Sequence, residues 1–450
     1  MAVIEDHSDG DDEIQTENAI THGVSVGNVS EIGLEQTIAS LEIVASDDVD
    51  VESGDEEDDG EEDEIWGGGG LKGFVSKPEH PWKLLRQYFP SKAGGAPAWL
   101  DPMKVPPAKH GSCGICDKPL QFVLQVYAPS EDDASAFHRT LFVFVCTSLA
   151  CLQQDQNQQR RKDKPKRSVK VFRSQLPREN DYYSASPPLT DGSALPLCKG
   201  AVLCSWCGTW KGDKICGGCK ETRYCSQTHQ MDHWRGGHAP GCRQAQEKMK
   251  ATNEESCTTS SSDVEGADGV SLSSPACPSL WPEFELIVED HSDDEDEDSD
   301  EGGMDERDGV RRLLSEYENR RRNQGREEFS SKDVAELQES SAEEQQWAAF
   351  QARVSKTPGQ VLWYLRSADA KPLWPRVDGQ PKTTDIPQCS HCGGNRIFEF
   401  QILPQLLYYF QLKDDPDSLD WGTIAVYSCE NSCTVEGGSQ EFAWVQPGFA

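Results

Sequence analysis

Alternating apolar and polar residues in the first half of the chain predict β-strands. Residues 121–127 and 141–145 are rich in β-branched and aromatic side chains and are too short for typical helices. The polar loop 130–135 separates them, so we expect an antiparallel hairpin or meander. Residues 169–175 alternate in the same way and predict a further strand of the same sheet.

The same order of elements recurs near the C-terminus, where residues 397–404 and 420–429 again read as strands. A Cys-x-x-Cys pair precedes the first strand of each copy, and two more cysteines follow the second strand. The lead-in repeats as well, because Pro97-Ala-Trp99 and Pro372-Leu-Trp374 stand at similar distances before the cysteine pairs. We infer an internal duplication that produces two related antiparallel β modules. Their cysteine cassettes are Cys113, Cys116, Cys146 and Cys151, and Cys389, Cys392, Cys429 and Cys433.

The segment between the two copies carries a strand pattern and a helix pattern. Residues 281–289 alternate like one more strand, and residues 309–354 repeat apolar positions every three to four residues. One apolar stripe packed on a core explains that helix. The sequence predicts an acidic tail 1–65, an N-terminal module 66–195, a cysteine-rich insert 196–245, a linker 246–357 and a C-terminal module 358–450.

Charge is concentrated in two acidic runs. The formal net charge is −35, and residues 1–65 hold 23 acidic residues and no lysine or arginine, while residues 289–301 hold ten more acidic residues. Such runs repel themselves and bury little apolar area, so we expect long disordered acidic segments. They act either as solvating tails or as a docking surface for a basic partner.

The 17 cysteines point to metal rather than disulfide bonds. The first residues lack the basic and apolar regions of a secretory signal, and no apolar run is long enough for a membrane span. We therefore expect a reducing, intracellular compartment, where Cys-x-x-Cys pairs bind zinc. The basic loop 160–167 is either a nuclear import signal or a solvated surface.

The cysteine-rich insert has eight metal-ligand candidates in four pairs, enough for two tetrahedral zinc sites. An interleaved arrangement assigns Cys204, Cys207, Cys225 and His229 to one ion, and Cys216, Cys219, His238 and Cys242 to the other. His233 competes with His229, which we prefer because it lies one helical turn after Cys225. Cys198 falls outside the spacing. Such a small module takes most of its folding energy from its metal.

Each flanking cassette is expected to hold one further Zn²⁺, or else to consist of free thiols at strand ends. Four protein ligands at every site leave no coordination position for a reactive water, so the predicted metals are structural. The run Gly67–Gly70 lacks the ending of a phosphate loop, and neither a nucleophile elbow nor a His-Glu-x-x-His helix occurs. We expect a protein that is not an enzyme and has no catalytic residues.

The insert resembles a MYND zinc finger, with His229 where most such fingers have cysteine. The flanking halves resemble the programmed cell death protein 2 family. The segments that carry this resemblance include Gly73-Phe-Val-Ser-Lys-Pro, Leu124-Gln-Val-Tyr-Ala-Pro, Phe398-Glu-Phe-Gln-Ile-Leu-Pro and Asp420-Trp-Gly-Thr-Ile-Ala-Val-Tyr-Ser-Cys. The fold class predicted is mainly β, with two zinc-stapled modules and the finger inserted between them.

The resemblance implies a dedicated chaperone for one basic ribosomal protein of the small subunit, the eukaryotic homologue of bacterial S-five, in 40S biogenesis. It implies a cytoplasmic and nuclear location. We expect a monomer that does not bind a membrane. Direct RNA binding is not expected, because phosphate contacts need lysine and arginine. The sequence identifies no client-binding residues.

Two other functions compete with this expectation. A transcriptional adaptor would use the finger to bind proline-rich corepressor peptides, and its function would depend on the finger. A MYND-bearing lysine methyltransferase would need a SET domain, whose characteristic Asn-His dipeptide is absent from the sequence.

Overall fold

Ten antiparallel strands close into one β-barrel in the computed structural model, which describes residues 70–130, 133–161, 166–255, 276–289, 342–412 and 417–448. The predicted acidic tail, most of the second acidic run and the first part of the predicted helix 309–354 lie outside the described residues. The barrel strands are β1 Leu71–Ser76, β2 Lys92–Ala93, β3 Gln121–Tyr127, β4 His138–Val145, β5 Val169–Leu176, β8 Phe284–Glu289, β9 Gln360–Tyr364, β10 Arg396–Ile402, β11 Thr423–Cys429 and β12 Ser439–Gln446.

Five α-helices and one small hairpin lie outside the barrel strands in the described part of the chain. The hairpin consists of β6 Lys214–Ile215 and β7 Arg223–Tyr224. A π-helical turn, Trp234–His238, joins the helix that ends at His233 to the helix that begins at Ala239. The helices are α1 Leu149–Gln158, α2 Gln227–His233, α3 Ala239–Glu255, α4 Ala342–Lys356 and α5 Gln405–Tyr409. None of the helices in the part of the chain that the structure describes has the length and apolar character to span a bilayer.

The two sequence copies adopt matching structures, with β2 to β5 in one and β9 to β12 in the other. β3 is bulged between Phe122 and Leu124, and β10 is bulged at the corresponding place between Phe398 and Phe400. A buried glutamine follows each bulge. The Gln125 side chain accepts a 2.8 Å hydrogen bond from the Ala98 amide, and Gln401 accepts one of 2.6 Å from the Leu373 amide. The predicted fold class, mainly β with a zinc finger, is confirmed.

The copies exchange their leading strands. β1 precedes the first copy in sequence but pairs with β9 of the second copy, and β8 precedes the second copy but pairs with β2 of the first. β1 and β8 also pair with each other, and β5 pairs with β12 to close the other seam. The two copies therefore complete a single barrel.

Alternation along the strands separates the barrel interior from its outer face. On β4, Leu141, Val143 and Val145 join the interior cluster, whereas Phe142 and Phe144 join an outer cluster that includes Trp99. In the second copy Trp374 and Tyr427 belong to an outer cluster of their own. α4 covers a further patch through Phe350, which is buried against Trp363 and Leu403.

The two cysteine cassettes lie at opposite ends of the barrel. β5 begins beside the first cassette, where Val169 pairs with Val145, the residue before Cys146. It runs to the second cassette, where the Arg173 guanidinium donates a 3.0 Å hydrogen bond to the Cys433 carbonyl. The antiparallel pair of strands β5 and β12 therefore runs from one cassette to the other.

Candidate metal centres

The structure brings the 16 predicted ligands together in four groups of four. Within each group every donor atom lies within 4.8 Å of the others. The groups are Cys113, Cys116, Cys146 and Cys151; Cys204, Cys207, Cys225 and His229; Cys216, Cys219, His238 and Cys242; and Cys389, Cys392, Cys429 and Cys433. We refer to them as the first cassette centre, the two finger centres and the second cassette centre.

Donor spacings match a tetrahedral zinc site. Zn–S bonds of about 2.3 Å place two sulfurs of a tetrahedron about 3.8 Å apart. The Sγ–Sγ distance is 3.6 Å between Cys116 and Cys146 and 3.5 Å between Cys392 and Cys429. In the second finger centre Cys216 and Cys242 are 3.8 Å apart. Disulfide sulfurs would lie about 2.0 Å apart, and the described cysteines are free thiols.

All four Cys-x-x-Cys pairs form the same tight turn. The amide four residues after the first cysteine donates to that cysteine's carbonyl, at distances of 2.8 to 3.0 Å. The donating residue always has a positive φ, with values of 59°, 63°, 55° and 72° along the chain. These residues are Asp117, Gly208, Lys220 and Gly393. Four repetitions of one turn show that these pairs share a local geometry that points both thiols at one place.

The first finger centre combines a hairpin turn with a helix N-terminus. Cys225 directly follows β7, and the Ser226 hydroxyl caps α2 by accepting a 3.0 Å hydrogen bond from the His229 amide. The first turn of α2 then places the His229 Nδ1 atom 3.1 Å from the Cys225 sulfur and 3.8 Å from that of Cys204. His233 contacts the Tyr224 hydroxyl instead, at 3.1 Å.

The second finger centre depends on a break in the helix. Gly237 has a φ of 124°, which only glycine adopts readily, and it separates α2 from α3. His238 follows this break, and its Nε2 atom lies 3.4 Å from the Cys216 sulfur and 3.7 Å from that of Cys219. Cys242 comes one turn later on α3. Cys198 lies outside all four groups.

Hydrogen bonding between neighbouring thiols of the first cassette centre favours a thiolate at one of them and disfavours it at the other. The hydrogen bond from Cys146 lowers the pKa of the Cys113 thiol to about 5, and the same bond raises the pKa of Cys146. For His229, burial lowers the pKa, but the neighbouring thiols of Cys204 and Cys207 outweigh it and raise the value to about 10. A bound Zn²⁺ would take the place of these shared protons. Four soft donors with no further protein group fit a closed, structural zinc site, and such an ion would supply folding energy.

Two tryptophans, Trp210 of the finger and Trp99 of the first copy, pack the finger onto the barrel. Trp210 is fully buried, its ring centroid lies 4.5 Å from that of Phe144, and its indole donates a 3.2 Å hydrogen bond to the Leu120 carbonyl. Trp99 returns the contact by donating a 2.7 Å hydrogen bond to the Thr209 carbonyl. Finger and first copy therefore share one hydrophobic cluster.

A segment before β8 lies along the finger. The Cys277 amide donates a 2.9 Å hydrogen bond to the Trp206 carbonyl, and the Ala276 amide donates one of 3.3 Å to that of Ser205. Two residues later the Ser279 carbonyl accepts a hydrogen bond from Gln121 of β3. The chain thus covers this edge of the finger with its own backbone.

Part of the basic loop 160–167 is engaged in the fold. Arg167 forms a 2.7 Å ion pair with the buried Asp155, and its guanidinium lies over the Phe442 ring. Arg160 lies over the Trp444 ring and donates to the Gln380 carbonyl. Residues 162–165 lie outside the described residues, so the import signal stays a prediction.

Sequence reasoning missed a buried charged cluster next to the second cassette centre. It joins Arg139 to Glu399, and Arg173 to Glu441, across the barrel. One signal was present, because Glu399 interrupts an apolar strand at the place where the first copy has Val123.

Comparison with known proteins gives matches over both copies and the insert. The family model for the N-terminal domain of programmed cell death protein 2 matches residues 71–190, and that for its C-terminal domain matches residues 344–447. The MYND finger model matches residues 204–242. No solved structure matches the chain.

Curated relatives match over most of their length. The chain is 35% identical to programmed cell death protein 2 of Bos taurus over 83% of this chain and 95% of the relative. It is 34% identical to the Rattus norvegicus protein over 83% of this chain and 95% of the relative. Programmed cell death protein 2-like of Homo sapiens is 28% identical over 76% of this chain and 85% of the relative. The chain therefore belongs to the programmed cell death protein 2 family.

Proposed function

We propose that this protein is a dedicated chaperone that binds one basic ribosomal protein of the small subunit, the eukaryotic homologue of bacterial S-five, and escorts it to 40S assembly. The observation that carries the proposal is the distribution of charge. Thirty-three acidic residues stand in two runs, within a chain whose remainder is nearly neutral. The family resemblance of both copies supplies the identity of the client.

Charge complementarity gives the proposal its physical basis. An unassembled ribosomal protein exposes lysines and arginines that are made for RNA phosphates. Runs of carboxylates attract such a surface, raise the association rate and compete with nonspecific RNA. A ribosomal client is made in the cytoplasm and assembled in the nucleus, so we place the chaperone in both compartments. Its role is binding, and its zinc ions are structural.

The proposal is tested by capturing the tagged full chain shortly after newly made proteins are isotope-labelled. Quantitative mass spectrometry should show one small-subunit ribosomal protein enriched far above all others. The matched variant replaces the acidic residues of 293–301 by their amides, and it should recover less client, with a smaller dependence on salt. Equal recovery of many unrelated basic proteins would contradict a dedicated chaperone.

The adaptor function has less support in the finger's surroundings. Trp210 docks one side of the finger on the barrel, and residues 276 and 277 bond to the edge formed by Ser205 and Trp206. Both contacts reduce the surface left for a corepressor peptide. If the finger serves the scaffold, substitutions that disrupt it should lower client binding only as far as they lower stability. Loss of function without loss of stability would favour the adaptor.

A further inference from the structure

The barrel interior changes character from one end to the other. Towards the first cassette centre it is lined by valines such as Val123, Val145 and Val169. Towards the second it holds six charged side chains, and all but that of Arg366 are almost fully buried. They are Arg139, Arg173, Arg366, Arg396, Glu399 and Glu441.

The first part of this cluster is an ion pair between the two copies. The Arg139 guanidinium of β4 donates two hydrogen bonds to the Glu399 carboxylate of β10, one of them 2.7 Å long, and a third of 3.2 Å to the Ser428 hydroxyl. Burial raises the pKa of Glu399, but Arg139 outweighs burial and brings the value to about 2. Both groups are therefore charged at neutral pH.

The second part surrounds Glu441 of β12. Its carboxylate accepts a 2.7 Å hydrogen bond from Arg173 of β5 and one of 3.0 Å from Arg396 of β10. It also accepts a 3.2 Å hydrogen bond from the amide of Cys429, a ligand of the second cassette centre. Glu441 thus links two arginines to the backbone of that centre.

Three of the arginines hold the peptide segments that carry the ligands. Arg396 donates to the carbonyls of residues 387 and 388, just before Cys389. Arg366 donates to the carbonyls of Cys429 and Glu430. Arg173 donates to the Cys433 carbonyl at 3.0 Å and stands 3.9 Å from its sulfur.

The charges of the cluster and of a metal centre are complementary. Four thiolates around one Zn²⁺ leave two uncompensated negative charges. The cluster has four arginines and two glutamates, hence two positive charges in excess. A buried charge without a counter-charge costs several kcal/mol, so each partner would be unfavourable without the other.

We propose that Arg173, Arg366 and Arg396 are the counter-charge and the positioning groups of the second cassette centre, so that zinc retention there depends on a side chain of the first copy. Arg173 comes from the first copy, whereas the ligands come from the second. Metal binding at this end and closure of the β5–β12 seam are then one coupled event. The first cassette centre abuts valines on its interior side, and the cation that interacts with its Cys113 is Lys170 of the same copy, so it lacks this dependence.

The test follows loss of zinc from each centre of the full chain separately. Zinc is removed with a chelator, freed thiols are alkylated, and peptides are resolved by mass spectrometry. R173Q or R366Q should speed alkylation of Cys389, Cys392, Cys429 and Cys433 about 10- to 100-fold, the usual effect of losing an outer-shell partner. R173K keeps the charge and should restore part of the retention. Cys113, Cys116, Cys146 and Cys151 should react as in the parent chain.

A charge-neutral control separates this proposal from general destabilisation. The double variant R139M/E399M removes one charge of each sign and leaves the excess of two, so its second centre should release zinc as the parent does. The proposal is overturned if R173Q and R366Q release zinc at the parent rate. Equal acceleration at all four centres would overturn it as well. Rapid alkylation of these four thiols in the zinc-loaded parent chain would also overturn it, because the second cassette centre would then hold no zinc.

Discussion

His138 shows how one buried polar residue makes the fold sensitive to pH. Its ring lies between the Phe89 ring, 4.1 Å away between centroids, and the Tyr127 hydroxyl, 2.9 Å from its Nδ1 atom. Burial, with a smaller contribution from Arg178, lowers the pKa of His138 to about 4. The folded state therefore prefers a neutral imidazole.

This shift predicts a loss of stability on acidification. An unfolded histidine binds its proton near pH 6.5, so stability is complete above that pH and falls as the pH drops towards 4. The free energy of unfolding should fall by about 2 kcal/mol between pH 8 and pH 5 from this residue alone. Urea titrations at several pH values give the free energy of unfolding at each pH. For H138F this free energy should change less steeply with pH than for the parent chain. If the free energy of unfolding of H138F changes with pH as steeply as that of the parent chain, other groups cause the pH dependence.

At the level of residues, the sequence indicated the ligands but not the groups behind them. Cysteine and histidine spacings predicted the four groups of side chains that the structure brings together, because each tight turn and helix start is local in sequence. The two ion pairs Arg139–Glu399 and Arg173–Glu441 each join residues more than 250 positions apart. Only the closure of the barrel brings these partners together, so the sequence could mark Glu399 as unusual in its strand but could not identify the cluster.

Among the elements, the finger depends most on a contact outside itself. Its hairpin has two residues per strand, and both of those of β6 are exposed. Trp210 attaches it to the outer face of β4 and β5, where Phe144 and Phe172 form the contact. Metal ions in the two finger centres would fix the internal fold of the finger, whereas Trp210 holds the finger against the barrel.

Trp210→Ala should therefore loosen the finger from the barrel. Truncating a buried tryptophan costs about 3 to 5 kcal/mol, and here the loss falls on the interface. Hydrogen exchange should rise in residues 204–242 and in β3 near Leu120, while the zinc content stays unchanged. Trp234→Ala, at a side chain that is 49% exposed, is the matched control and should alter neither. Equal hydrogen exchange in the Trp210→Ala and Trp234→Ala variants would show that contacts other than Trp210 attach the finger to the barrel.

The sequence predicted most barrel strands and the antiparallel pairing of β3 with β4, but not the pairings that close the barrel. Alternation identified β3, β4, β5, β10 and β11, since each has one face in the interior and one outside. The strand predicted at 281–289 begins at Phe284. β2 has two residues, too few for a periodic signal. Pairing of β1 with β9 joins residues almost 300 positions apart, which strand patterns do not encode.

For the whole molecule, the exchanged strands make the two copies interdependent. β2 needs β8, β9 needs β1, and β5 needs β12. Each copy alone would expose unpaired strand edges and the apolar interior of half a barrel. A duplication that began as two similar modules thus yields one folding unit, although the sequence indicates only the similarity.

Residues 66–195 expressed alone should not form a cooperative fold. The fragment lacks β8 and β12, so both edges of its sheet are unpaired. Its amide NMR spectrum should be poorly dispersed even with zinc present, and co-expression with residues 196–450 should restore a folded complex. A well-dispersed spectrum and a sharp thermal transition for the fragment alone would show that the first copy is autonomous.

The zinc content of the purified full chain tests the central claim, that four structural metal centres hold the duplicated barrel and its finger. Native mass spectrometry counts the ions bound to intact protein. We predict four zinc ions per chain, and three after Cys389 and Cys392 are both changed to serine. Two ions in the parent chain, unaffected by that change, would contradict the account, because the cassettes would then be paired thiols without metal.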